Sequence, residues 1–143
     1  MALKAAPEPP QPSTIEIKFG PSENQYLLGK KDKPLELNAQ RGSIFRLVSG
    51  LHDAKQFSLE LVGNRGCYVR HRNGILWLHE RPKNNANFDS DATFTMIKSD
   101  ENHARFEQGN WRGTFIAVRD DGSIALSNSS AREKSTFLLV PKQ

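Results

Sequence analysis

The sequence has one cysteine, Cys67, so no intramolecular disulfide is available to hold the fold. Cys67 precedes Tyr68 in an apolar strand and reads as a small buried hydrophobe rather than a reactive thiol. No run is long and apolar enough to span a membrane, and no apolar leader follows the first residues. A chain that is complete would then stay where it is made, whereas a piece of a larger secreted protein would be extracellular. Helix periodicity of useful length is also missing. So is a glycine-rich loop opening a helix, which removes nucleotide-phosphate chemistry. Cys67, His71 and His79 lack metal-site spacing. Asp89 and Asp91 stand too close to read as an acid/base pair, and no nucleophile motif accompanies them. These absences point to a binding domain with no cofactor rather than an enzyme.

The 143 residues suffice for one domain with a real core. A formal charge of +4 favours anionic partners modestly, and nothing in its distribution calls for nucleic acid. Pro7, Pro9, Pro10 and Pro12 crowd the first stretch, so residues 1–13 read as an extended, disordered tail that the fold does not need. From residue 14 onward the pattern changes. Ile15, Ile17 and Phe19 alternate with Glu16 and Lys18, the period of a half-buried strand. Further short strands follow at Tyr26–Leu28, Leu35 to Leu37 and Ile44–Val48.

This four-strand pattern then recurs. Phe57, Leu59 and Leu61 begin a second copy, which runs through Tyr68 and Val69, an Asn73-Gly74 hairpin signal, Ile75–Leu78 and Thr93–Ile97. A third runs from Arg105 through Thr114–Val118, Ile124 and Leu126 to Thr136–Val140. Three anchor sets recur with a period in the forties: Tyr26, Tyr68 and Phe115 on the second strands, Leu37, Leu78 and Leu126 on the third, and Phe45, Phe94 and Phe137 on the fourth. Propeller blades have similar length, but a propeller needs at least four. Three copies of four strands predict an all-β chain folded as a β-trefoil, with lobes near 14–54, 55–102 and 103–143. The second-strand aromatics, Tyr68 among them, are expected in the core.

The middle copy carries the distinctive residues. It reads Tyr68-Val-Arg70-His71-Arg-Asn73 on the second strand and hairpin. A long loop from His79 leads to Asp91-Ala-Thr-Phe94. Tyr68, Arg70, His71, Asn73, Leu76, Leu78, Phe88, Asp91, Ala92, Thr93 and Phe94 together resemble the sugar-binding module of α-L-arabinofuranosidase B. The resemblance implies a β-trefoil that recognises arabinofuranose side chains of hemicellulose. In that family the motif recurs in more than one lobe and is flanked by cysteines. Here the first lobe has Leu28-Gly-Lys-Lys and the third has Ala117-Val-Arg-Asp at the corresponding place, neither has Asp-Ala-Thr-Phe, and the cysteines are missing. One pocket, in the second lobe, is the most the resemblance implies.

The residue chemistry suits a sugar. Asp91 is a charged acceptor for vicinal hydroxyls, His71 and Asn73 donate or accept, and Tyr68 or Trp77 offers an apolar face. Arg70, with Arg72, flanks His71 and offers positive charge. Structural roles fit the same residues: His71 as a packed histidine, Asp91 as a turn cap, Arg70 on a solvated strand edge. Alternation turns Trp77 away from the core, and Trp111 lies in a glycine-bounded turn where exposure is expected. Two functions follow: a non-catalytic carbohydrate-binding, lectin-like module, or a protein–protein interaction scaffold like other proteins of this fold.

Overall fold

The computed structural model describes residues 13–22, 24–129 and 131–142. The proline-rich stretch assigned to the tail lies outside them except for Ser13, which already belongs to the first strand. In chain order the strands are β1 Ser13–Phe19, β2 Tyr26–Leu28, β3 Lys33–Pro34, β4 Glu36–Asn38, β5 Ile44–Ser49, β6 Phe57–Leu61, β7 Cys67–Arg72, β8 Ile75–Glu80, β9 Phe94–Lys98, β10 His103–Gln108, β11 Phe115–Val118, β12 Ile124–Ser127 and β13 Phe137–Lys142. One short helix, α1, spans Ala86–Asp91, and a 3₁₀ turn spans Arg132–Ser135. The described residues are all-β apart from these. No described helix is long and apolar enough to cross a membrane.

Antiparallel pairing closes a ring. β1 pairs with β5, β5 with β6, β6 with β9, β9 with β10, β10 with β13, and β13 returns to β1. Closure leaves the ring strands without free edges. Each contributes a large, fully buried apolar side chain to its interior: Ile17, Phe45, Leu59, Phe94, Phe106 and Phe137, all at 1% exposure or less. The Phe137 ring lies 6.2 Å from those of both Phe19 and Phe106, in tilted geometry. Emptying such a site, as Phe94→Ala would, costs about 3–5 kcal/mol.

Three hairpins, β2–β4, β7–β8 and β11–β12, branch from the ring through β1, β6 and β10. They meet one another where β3 and β12 pair with β8. The fourth-strand phenylalanines are therefore core, as expected. The second-strand aromatics are not. Tyr26, Tyr68 and Phe115 are half-buried, and the next residues, Leu27, Val69 and Ile116, fill the interior. Alternation puts neighbours on opposite faces, so shifting the anchor by one residue exchanges inside for outside. The outer aromatics have polar partners instead: Lys18 Nζ lies 5.0 Å from the Tyr26 ring centre, Arg105 stacks 3.7 Å from Phe115, and the Tyr68 hydroxyl donates to Glu60. Cys67 is buried, and burial pushes its thiol pKa up, as suits a packing residue.

Candidate functional site

The β7–β8 hairpin is closed by Asn73 and Gly74, at φ 55° and 77°. Arg72 faces Ile75 across this two-residue turn, so both turn residues need the left-handed conformation that Asn and Gly tolerate. Leu76 and Leu78 anchor β8 in the core at 0% exposure. The outward residues are thereby fixed: Arg70 stands opposite Trp77, and Tyr68 opposite His79.

The loop after β8, read from sequence as irregular, contains α1. The Asn85 side chain accepts the Phe88 N–H at 3.0 Å, capping the helix, and Phe88 is buried. Arg81 holds Asp89 through two bonds of 2.9 Å, which ties the loop to the helix. Asp89 is thus occupied in structure. In Asp91-Ala-Thr-Phe94 the last three residues are packing. Ala92, Thr93 and Phe94 are at most 1% exposed. The Ala92 carbonyl accepts from the Ser58 hydroxyl, and the Thr93 hydroxyl donates to the Asp89 carbonyl at 2.7 Å. Asp91, the last residue of α1, is the one that faces other side chains.

Its carboxylate gathers three side chains, two from β7 and one from the turn between β10 and β11. Oδ1 lies 3.0 Å from His71 Nε2 and accepts from Asn110 Nδ2 at 3.0 Å. Oδ2 lies 3.5 Å from an Arg70 Nη. Asn110 Oδ1 is also 3.4 Å from His71 Nε2. These contacts go to side chains rather than to neighbouring backbone, so Asp91 is not a local turn cap. Arg70 stacks 5.0 Å from the Phe88 ring, and its other Nη approaches His79 Nδ1 at 3.5 Å. Its Nε is buried and has no acceptor among the described residues. Burial holds the Arg70 pKa below the usual arginine range, partly offset by Asp91. Burial, followed by the charge of Arg70, lowers His79.

Arg70 and His79 look into an open cleft of about 460 Å³, with Phe88, Lys31, Asp32 and Arg72 among its walls. The structure therefore brings Arg70, His71 and Asp91 together, and of the three Arg70 lines this cleft. Asn73 sits at the exposed hairpin tip, where its backbone conformation explains it. Tyr68 gives its hydroxyl to Glu60, and its pKa is raised by burial and then by that carboxylate. Trp77 is half-buried and stacks on His79 at 5.2 Å. No motif in the sequence marks Asn110 or His79 as a residue of this site. A glycine-bounded turn marks Asn110 as turn-forming, but no local signal connects it to Asp91.

No curated protein matches. Among solved structures, an arabinofuranosidase complexed with arabinofuranosyl-α-1,2-xylobiose superposes with a TM-score of 0.78 at 15% identity, over 95% of this chain and 32% of that one. A GlcNAcα1-4Gal releasing endo-β-galactosidase from Clostridium perfringens gives 0.73 at 13% identity, over 92% and 33%. The BEL β-trefoil gives 0.70 at 11% identity, over 94% and 96%. The chain thus spans about a third of the length of the two glycosidases, and its fold is that of a β-trefoil neighbour nearly entire. The model of the α-L-arabinofuranosidase B (ABFB) domain matches residues 24–139. With most of its length matched, the chain belongs to the α-L-arabinofuranosidase B domain family.

Proposed function

We propose that the domain is a non-catalytic carbohydrate-binding module with one polar pocket in its second lobe, and that the pocket takes an arabinofuranose-type side chain of a glycan. The observation that carries this is the Asp91 carboxylate, held by Arg70, His71 and Asn110, with Arg70 also lining the neighbouring cleft. A carboxylate fixed by side chains of separate elements is oriented before the ligand arrives, which cuts the ordering cost of binding. Its remaining acceptor capacity suits a sugar hydroxyl, and the orphaned Arg70 Nε–H suits a sugar oxygen. Family membership supports the same ligand class.

The site sits within three lobes that correspond to the sequence copies. Tyr26, Tyr68 and Phe115 face Lys18, Glu60 and Glu107 respectively, the same position on each ring strand. Three residues before Phe45, Phe94 and Phe137 stand Gly42, Asp91 and Lys134. Only the second lobe has the carboxylate there. Lys134 reverses its sign and pairs with Asp120 at 2.8 Å. In this reading Asn73 serves the pocket by setting the hairpin, and Tyr68 and Trp77 support its wall.

The test is a glycan array that includes arabinofuranosides, followed by calorimetry. Asp91→Ala is expected to weaken binding about ten- to a hundredfold, the worth of a hydrogen bond to a charged group. Urea unfolding of the same variant separates binding from folding. A stability loss above about 2 kcal/mol with unchanged affinity would make Asp91 a structural residue. An array without any bound glycan would transfer the proposal to a protein-interaction scaffold.

A further inference from the structure

Trp111 is the most exposed large hydrophobic side chain among the described residues, at 54%. It does not hang from a loose loop. The turn between β10 and β11 is closed by Gln108 N–H donating to the Thr114 carbonyl at 2.8 Å. Trp111 N–H donates to the Gln108 carbonyl, and Thr114 N–H to the Trp111 carbonyl, both at 3.3 Å. Gly113, at φ 79°, donates its N–H to the Glu107 carboxylate at 2.8 Å. The indole is therefore presented to solvent by a braced backbone, at low ordering cost to any ligand that covers it.

It also has a matched setting. Trp111 walls a second cleft of about 300 Å³ with Thr114, Arg119, Leu126, Ser127 and Asn128. A flat apolar ring is thus surrounded by hydroxyl, guanidinium and carboxamide groups. Arg119 and Asn128 are exposed and Ser127 is half-buried. That combination suits a sugar ring, which has an apolar C–H face and an equatorial rim of hydroxyls. The residue before Trp111 is Asn110, which holds Asp91. One rigid turn thus carries both the exposed indole and the side chain that holds the Asp91 carboxylate.

We propose that the Trp111 cleft is a second saccharide subsite, in which the indole stacks on a pyranose of the glycan main chain while the Asp91 pocket holds the side-chain sugar of the same ligand. The proposal rests on the arabinofuranose reading of the Asp91 pocket and extends it. The ligand class becomes a branched oligosaccharide, bound more tightly than its isolated branch. Arg119 and Asn128 would orient the main-chain hydroxyls, and Leu126 would lie beneath them.

The experiment is calorimetric titration of the full chain with two probes, methyl α-L-arabinofuranoside and an arabinofuranosyl-substituted xylo-oligosaccharide. The wild type should bind the second more tightly. Trp111→Ala should weaken the branched probe by about three- to tenfold, the worth of one aromatic contact, and leave the monosaccharide unchanged. Trp111→Phe should restore most of the loss, and Asp91→Ala should weaken both probes. Equal wild-type affinity for the two probes would overturn the subsite while the Asp91 reading stands. So would a Trp111→Ala variant that changes neither probe, or both alike. A wild type that binds neither probe would overturn the arabinofuranose reading, and the subsite with it.

Discussion

His71 Nε2 lies 3.0 Å from Asp91 Oδ1, although β8 and the whole loop with α1 separate them along the chain. Both are largely shielded, with side-chain exposures of 17% and 22%. Arg70, the residue before His71, reaches the other oxygen of the same carboxylate. Consecutive residues of one strand normally point to opposite faces. Here both reach one carboxylate because α1 brings Asp91 up against the end of the hairpin, where the long side chains converge.

Asn110 is the third holder of this carboxylate, and it is exposed. Asn110→Ala should weaken arabinofuranoside binding by about three- to tenfold, one ordinary hydrogen bond's worth of orientation. Stability should change by less than about 0.5 kcal/mol, as for other surface positions. Calorimetry paired with urea unfolding checks both. Unchanged affinity would show that Arg70 and His71 orient Asp91 without it.

Glu60 is a structural carboxylate in the same lobe, 8% exposed. Burial pushes its pKa up, but the Gly66 N–H, Arg46 at 2.9 Å and the Tyr68 hydroxyl together bring it below the usual value. Glu60→Ala should cost about 2–3 kcal/mol, because it leaves the turn N–H, the hydroxyl and part of a guanidinium unpaired. Glu60→Gln keeps an acceptor and should cost less. Denaturant midpoints at neutral pH give the comparison. Equal losses in the two variants would locate the effect in the charge alone.

His79 supplies a pH test. Its pKa in the folded protein lies below the ordinary histidine value of 6.5, because of burial and then Arg70. Between that lowered pKa and 6.5 the unfolded chain binds the proton more readily. This contribution is therefore complete above 6.5 and is lost as pH falls below it. The urea midpoint of the wild type should fall more between pH 7.5 and 5.5 than that of His79→Gln. Parallel curves would show that His79 is not shifted. Taking the difference between the two proteins removes the other histidines from the comparison.

The residue order by itself determined the strands, because period-two alternation and turn residues act locally. Asn73-Gly74 specifies its own hairpin, and the β1 alternation places Ile15 and Ile17 inside. It also determined that Phe45, Phe94 and Phe137 are core, since a large apolar residue in each last strand has no better place. Alternation alone does not say which face of a strand is inside. That is why the aromatic anchors point to Tyr68 for the core, whereas Val69 fills it and Tyr68 turns out to Glu60. The short α1 was illegible because one buried Phe88, an Asn85 cap and the Arg81 clamp hold it, and none of these makes a periodic pattern. Residue chemistry points to Arg70, His71, Asn73 and Asp91, with Tyr68 and Trp77 as apolar faces, and of these Arg70, His71 and Asp91 meet. Their meeting, and the part of Asn110 in it, was decided by the tertiary structure. β10 runs back along β9 and so sets the turn after it against the end of α1, and a contact between the side chains of two separate segments leaves no mark in local sequence.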